Sequence, residues 1–292
     1  MIHYNYFTPK NLEEALNLLE NNCGKMKIVA GGTDLLIRIR AGKEMPEAII
    51  DISKLGFNSI TKNNNEMVLG AFTTLTRINE DKLLKKQPYC LIAETAGRIG
   101  AWQTRNLATI GGNICIGNSS ADMAVALLAL NAKVKIARKS GNSTYPLDKF
   151  FLAPRKTAVK CDEILTDLFL PNYTQEGYGS CFIKIGKRKG HSISVINIAT
   201  FIQLDGNEKI QDIRIAMGTV APIPIRLYKS EDYLKGKFIT DETIDAAIEV
   251  MMSEISPRDS FRGSKEYRAD VAKVIFKRAI IQSVEIAKRR EQ

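Results

Sequence analysis

The stretches Lys27-Ile28-Val29-Ala30-Gly31-Gly32-Thr33-Asp34 and Thr109-Ile110-Gly111-Gly112-Asn113 carry the reading of this chain. Each sets a glycine pair after an apolar or otherwise ordered lead-in and ahead of a helical pattern. Backbone without Cβ atoms can lie against a diphosphate and offer its N–H groups, and the start of the following helix adds a favourable dipole. One such loop says little. Two of them in one basic chain point to a large cofactor gripped at its pyrophosphate from both sides.

Around the first loop the pattern is that of a small α/β unit. Asn11 and Glu14 form a capping box for a helix with Leu12, Ala15, Leu16 and Leu19 on one stripe, ended by Gly24. Lys27–Ala30 reads as a short buried strand, Thr33 or Asp34 caps the next helix, and Leu35, Leu36 and Ile39 face inward until Gly42. Ala48–Ile52 is a further buried strand. Around the second loop lies another unit: a strand over Met67–Ala71, a helix from Pro88 to Ile99 and an apolar helix from Ala121 to Leu130. Lys133–Arg138 and Ser143–Pro146 form a hairpin about Ser140-Gly141-Asn142, and Glu163–Leu170 is a last strand closed by Pro171.

The segment Pro171–Gly179 reads as a boundary. The expected domains are 1–176, with subdomains of 1–56 and 57–176, and 177–292. In the second, Cys181–Lys187, Ser194–Leu204 and Lys209–Met217 read as antiparallel strands, the last two joined at Asp205-Gly206. Ile244, Ala247, Ile248 and Met251 mark one helix. A longer helix starts near Ser264 with Tyr267, Val271, Val274 and Ile275 on one face.

At 292 residues the chain can bury two cores, and 45% hydrophobic with 25% charged residues is the balance of an ordinary folded protein. No apolar run is long enough for a transmembrane helix, and Met1–Tyr6 lacks the regions of a signal peptide, so a cytoplasmic location is expected. Five scattered cysteines without a CxxC pair argue against a disulfide framework and against a cluster of metal or iron–sulfur ligands. His3 and His191 have no supporting motif for a metal site or a triad, so neither metal ligands nor catalytic residues are assigned. The net charge of +10, with Lys184, Lys187, Arg188, Lys189 and His191 as its densest run, raises the alternative of a non-redox nucleotide- or nucleic-acid-binding module. That run lacks interleaved aromatics and any nucleic-acid-binding signature, so neither nucleic acid nor membrane is an expected partner.

The GxGxxG dinucleotide fingerprint and the GxxxxGK[ST] loop are both absent. Instead, Ala30–Asp34 and Arg105-Asn106-Leu107-Ala108-Thr109-Ile110-Gly111-Gly112-Asn113 resemble the two FAD loops of the flavoprotein (medium) subunits of molybdenum hydroxylases. Phe150-Phe151 with Arg155-Lys156-Thr157, Asp162–Leu165, Phe182–Arg188, Ala221–Arg226 and Arg262–Arg268 are similar to later signatures of that family, in order, so the resemblance spans nearly the whole chain. Within the family, the Ser120-Ala121-Asp122 helix start and the Ser264–Arg268 signature are most similar to FAD-binding subunits of bacterial xanthine dehydrogenases. Trp102 and Thr104 depart from the proline and branched apolar residue of many relatives, and His191–Ser194 departs from their acidic residue and alanine.

The resemblance implies an α+β fold: a vanillyl-alcohol-oxidase-like FAD-binding domain of two α/β subdomains, then an antiparallel sheet with helices of the carbon monoxide dehydrogenase flavoprotein C-terminal type. It places Lys27, Ile28, Val29, Ala30, Gly31, Gly32, Thr33 and Asp34 on one side of the pyrophosphate and Thr109, Ile110, Gly111, Gly112 and Asn113 on the other. It sets Asp122 at the adenosine, the Leu165 backbone beside the ring systems, Ile99 near the flavin ring, and Lys184 at the polar edge of the isoalloxazine, where its charge would favour reduced, anionic flavin. The implied function is electron transfer through bound FAD. Electrons would come from a 2Fe-2S small subunit, beside a molybdopterin-binding large subunit, in a heterotrimeric xanthine dehydrogenase with NAD as acceptor. A nicotinate- or carbon monoxide-type dehydrogenase is the alternative within the family. The absence of a cysteine cluster argues against relatives that carry a cluster-binding loop in this subunit.

Overall fold

The computed structural model describes residues 4–63, 65–175, 177–188 and 190–289. His3, Glu176 within the boundary segment, and Lys189 within the basic run lie outside the described residues. The chain opens with β1 (Asn5–Phe7), α1 (Leu12–Asn21), β2 (Met26–Val29), α2 (Leu35–Arg40) and β3 (Ala48–Asp51), whose strands form a parallel sheet in the order β1-β3-β2. The central strand β3 is apolar at successive positions because both of its faces are covered. Ala48 and Ile50 join the core that takes in Ala15, Leu16 and Leu19 of α1, whereas Ile49 packs with Val29 and with Ile39 of α2. The predicted cap of α1 is present, with Asn11 Oδ1 accepting from the Glu14 amide at 2.9 Å. Leu36, expected to face inward, is exposed, because six residues of helix have room for only one inward row, held by Leu35 and Ile39.

The second unit holds β4 (Ile60–Lys62), β5 (Glu66–Gly70), α3 (Leu75–Glu80), α4 (Cys90–Gly97), α5 (Trp102–Leu107), α6 (Ile110–Cys115) and α7 (Asp122–Ala129). These are followed by β6 (Lys133–Arg138), β7 (Gly141–Pro146), β8 (Phe151–Ala153), β9 (Lys156–Thr157) and β10 (Ile164–Pro171). Its main sheet is antiparallel, in the order β4-β5-β10-β6-β7. The short helices α3 and α5 and the strands β4, β8 and β9 have too few residues for a readable period and were not anticipated. The second glycine pair does not precede a helix but sits in the first turn of α6, which Thr109 caps through a bond from the Gly112 amide to its Oγ1.

The third unit is an antiparallel sheet in the order β11 (Tyr178–Gly186), β12 (Ser194–Leu204), β13 (Ile210–Gly218) and β14 (Ile225–Arg226), with α8 (Tyr228–Leu234), α9 (Asp241–Met252) and α10 (Lys265–Lys288). Strand β12 is buried on both faces for the same reason as β3. Ile196, Ile198 and Ile202 face α10, while Ala199 and Phe201 face the core that surrounds α7. Every residue of α7 is buried, as expected of a helix apolar on all sides and wedged between two sheets. On α10 the buried row runs from Arg268 through Ala272, Ile275, Phe276, Ala279 and Ile280 to Ser283, Val284 and Ala287; Tyr267 and Val274, read on one face with Val271 and Ile275, are exposed. The bulkier Phe276 and Ile280 draw the seam round the helix.

The cysteines depart from expectation. Cys23, in the turn after α1, and Cys161, in the turn before β10, are joined in a disulfide with their Cα atoms 5.1 Å apart. Distance along the sequence says nothing about turns that fold back on one another, and this pair is 138 residues apart.

Gly179 on β11 packs directly on α10, and a Cβ there would fall on the backbone carbonyl of Ser283. Gly179→Ala is expected to lower stability by about 1–3 kcal/mol through overpacking, read by urea unfolding; a change within error would show that α10 gives way freely at this point.

Candidate functional site

Where the first two units meet, an apolar chamber of about 390 Å³ is lined by Lys27–Leu35, Phe72, Ala108, Thr109, Gly111–Asn113, Val159 and Glu163–Leu165. A second chamber of similar volume shares Thr33, Asp34, Ile99, Thr104, Asn113 and Ile116 with the first, and extends to Ser120, Asp122, Lys184, His191 and Ser192. The two form one elongated cleft with the two glycine loops at its waist: the first chamber sets Ile28, Phe72 and Leu165 beside Lys27, Arg38, Glu44 and Arg155, and the second, the polar chamber, holds Asp122 and Lys184. Each chamber falls in the range of roughly 300–1,000 Å³ typical of small-molecule sites.

The two loops contribute differently from one another and from expectation. In the second, the amides are already engaged: Ile110 donates to Thr73 O, Gly111 to Ala71 O and Asn113 to Thr109 O. Ile110 is wholly buried in the core. What this loop turns toward the cleft is the Asn113 side chain, whose Oδ1 is buried without a hydrogen-bond partner. In the first loop, no group among the described residues accepts from the amides of Gly31, Gly32, Thr33 or Asp34. With α2 and α6 only six residues each, helix dipoles add little, and backbone amides and side chains carry the polar character of the waist.

Gly31 is also needed for a reason other than ligand access. A Cβ there would overlap the backbone carbonyl of Leu107 at the end of α5, so its absence lets the first loop lie against the second unit. Across the same seam the Arg155 guanidinium donates to Asp34 at 3.0 Å. Arg38, on α2, lines the apolar chamber with its Nε buried and unpartnered while its Nη2 donates to Glu44 at 3.0 Å. Arg38 and Arg155 were missed in the sequence, where nothing separates a charged side chain facing a cleft from one facing water.

The polar chamber is organised about Asp122, which opens α7 and is 5% exposed. Its Oδ2 accepts from Lys184 Nζ at 2.6 Å, and its Oδ1 accepts from Ser194 Oγ and Asn197 Nδ2, both at 2.5 Å. Strand alternation turns Lys184 of β11 and its pair Asn197 of β12 to the face that meets α7. A register shift between Ile185 and Gly186, which pairs Gly186 with Ser194, brings Ser194 to that face as well. Asp122 and Lys184, expected at opposite ends of the cofactor, are therefore direct partners at one end of the cleft. Nor is Lys184 part of a solvated basic face: its side chain is 11% exposed. Leu165 and Ile99 line the cleft, Leu165 in the apolar chamber and Ile99 in both.

Residues 2–173 match the family model described as the FAD binding domain in molybdopterin dehydrogenase, and residues 182–283 match the CO dehydrogenase flavoprotein C-terminal domain. The chain belongs to this family of molybdopterin dehydrogenase flavoproteins. It is 34% identical to the xanthine dehydrogenase FAD-binding subunit of Escherichia coli O157:H7, over 97% of this chain and 96% of that one. It is 32% identical to the glyceraldehyde dehydrogenase medium chain of Sulfolobus acidocaldarius, over 94% and 96%. Its structure resembles that of the carbon monoxide dehydrogenase of Hydrogenophaga pseudoflava, solved without the Mo-pyranopterin moiety of its molybdenum cofactor, at a TM-score of 0.92 and 28% identity, covering 96% and 97% of the two chains. The vanillyl-alcohol-oxidase-like architecture with an antiparallel, helix-backed third unit is thus the flavoprotein fold of this family. Among the described residues no helix is long and apolar enough to cross a membrane.

In this molybdopterin dehydrogenase flavoprotein, Arg38, with help from Lys27, holds the Glu44 carboxyl below its ordinary value of 4.5. A carboxyl lowered on folding contributes stability above its unfolded pKa and loses it as pH falls through the folded one. Glu44→Gln is therefore expected to be less stable than the parent in neutral solution, with the gap closing in acid below the folded pKa of Glu44. Denaturant melts across this range check it, and a gap independent of pH would remove the pair from the stability of this wall.

Proposed function

We propose that the chain is the FAD-containing electron-transfer subunit of a molybdenum hydroxylase that oxidises xanthine, taking electrons from a 2Fe-2S subunit and delivering them to NAD⁺. The observation that carries this reading is the two-chamber cleft, with unpartnered Asn113 Oδ1 at its waist and the Asp122–Lys184 pair at its polar end, in a chain matched throughout by a flavoprotein family. The residues fit FAD: free amides and the Arg38 Nε suit a diphosphate, the apolar chamber with Leu165 suits the adenine, and the polar chamber with Ile99 and Lys184 suits the flavin ring. The domains are placed at 1–176 and 177–292, with the cofactor between subdomains 1–56 and 57–176. Bound FAD supplies the exchange between single-electron carriers and a two-electron acceptor.

This chain's own groups position and tune. The amides of Gly31–Asp34 hold the diphosphate, and Asn113 accepts from a donor of the cofactor. Lys184 has three N–H donors; one goes to Asp122 and one to Arg98 O at 3.2 Å, which leaves one for the ring edge. No general base or nucleophile is required. Xanthine is supported by the 34% identity to a xanthine dehydrogenase subunit. NAD⁺ is supported by a cleft next to the polar chamber, lined by Arg98, Arg105, Lys187 and Arg188 and sharing Gly100, Lys184, His191 and Ser192 with it, since such a wall suits an anionic dinucleotide. Partnership with molybdopterin-binding and 2Fe-2S subunits in a cytoplasmic heterotrimer belongs to the same reading.

The assembled complex, assayed with xanthine, nicotinate and carbon monoxide against NAD⁺ and artificial acceptors, tests it. Xanthine-dependent NADH formation is expected, and activity confined to another substrate or acceptor would replace the assignment while leaving the FAD subunit in place. Lys184→Met is expected to lower the two-electron flavin potential by about 30–60 mV, where roughly 30 mV corresponds to 1.4 kcal/mol, because it also leaves the Asp122 charge uncompensated. The neutral pair Lys184→Met with Asp122→Asn should recover most of that shift in spectroelectrochemical titration. An unchanged potential in both variants would place the pair away from the ring.

A further inference from the structure

We propose that Cys23 and Cys161 form a thiol–disulfide exchange site, open to small or protein dithiols, that latches the two walls of the cofactor cleft. The proposal rests on the FAD reading of the cleft and concerns how the cofactor is retained. Both cysteines are exposed, and each sits where one wall begins. Cys23 occupies the turn that Lys25 N closes on Asn22 O, directly ahead of β2, which runs into Lys27–Asp34. Cys161 occupies a turn in which the Lys160 amide donates to Glu163 Oε2 at 3.0 Å, and Glu163, Ile164 and Leu165 line the apolar chamber immediately after it.

Beside the apolar core that the first two units share, the other polar ties across this seam are weak. Lys139–Glu20 at 2.8 Å and Arg155–Asp34 at 3.0 Å join side chains that are between 39% and 58% exposed, and such surface pairs contribute little in water. A covalent bond between segments 138 residues apart restrains the chain far more strongly. The exchange is confined to this pair. Cys90, Cys115 and Cys181 are free thiols, and burial pushes them up to about 11, 12 and 12, which keeps them protonated and slow to react.

In the exchange, a thiolate of the dithiol attacks one sulfur of the bridge and forms a mixed disulfide, and the other protein sulfur leaves as thiolate and takes a proton. The second thiol of the reductant then displaces the remaining protein sulfur. The dithiol is oxidised to its disulfide, and the protein gains two electrons and two protons as two thiols. Opening the bridge frees the Lys160–Glu163 turn from the first wall and loosens the apolar chamber.

Two measurements test this. Air-oxidised protein unfolded without reductant is expected to show three titratable thiols per chain, the free cysteines, rising to five, the full cysteine count, after reduction with tris(carboxyethyl)phosphine. FAD release from the holoprotein, followed by flavin fluorescence, is expected to be about tenfold faster after reduction, the scale of a modest part of a disulfide's restraint. The variant Cys23→Ser with Cys161→Ser should release FAD at the reduced rate and ignore reductant. The wild-type comparison serves alone if that variant fails to fold. Five thiols before reduction overturn the bridge. Three thiols with equal release in both states, or no retention of FAD in either, overturn the latch. The thiol count needs no cofactor, so it separates failure of the bridge from failure of the FAD reading.

Discussion

Asp122 is the constraint on which the rest of this structure depends. A carboxylate at 5% exposure must be matched by donors, because an isolated buried charge costs several kcal/mol even after the surroundings relax. Three donors meet it, and all three belong to the third unit: Lys184 from β11, Ser194 and Asn197 from β12. The carboxylate itself belongs to α7, in the second unit. This buried polar cluster therefore fixes both the register of β11 on β12 and the seat of that sheet on α7. Hydrophobic burial alone would let two apolar surfaces slide. A carboxylate that needs a particular ammonium, hydroxyl and amide allows one alignment.

The same cluster reaches the cleft. Phe72 and Leu165 of β10 line one chamber, beside Arg38 and Arg155, and Asp122 with Lys184, one of its three donors, lines the other. Charge there is balanced within the cluster, so Lys184 reaches the cleft as one half of a neutral pair. Its field in the cleft is correspondingly that of an oriented dipole with one spare donor, weaker and more directional than a free ammonium.

The sequence showed as much of the fold as period and capping can carry. The α1 cap, the buried strand β3, the strand β12 and the apolar helix α7 are local signals, and each appears in the structure where it was read. The glycine loops stood out in the sequence, but their division of labour did not. Which amides remain free depends on Thr73 and Ala71 accepting from Ile110 and Gly111, contacts made only after the chain folds. The partnership of Asp122 with Lys184 was hidden for a similar reason. It requires a strand register, a bulge between Ser194 and Ile196 and the docking of a helix, none of which has a signature in residue order. Arg38 and Arg155 had the appearance of ordinary surface cations, and the Cys23–Cys161 bridge joins two turns with no common motif.

Besides the apolar core they share, three kinds of contact close the seam between the first two units, and they differ in what can undo them. Gly31 against Leu107 is a steric fit, permanent once the residue is chosen. Arg155 with Asp34 is a half-exposed ion pair that ionic strength weakens. The disulfide is strong and yet exposed, so it responds to chemistry instead of to salt or heat. A site that must hold a large dinucleotide firmly yet admit it once during assembly benefits from one tie of the third kind. Loading can proceed while the bridge is open, and oxidation then adds restraint without changing any residue that touches the cofactor.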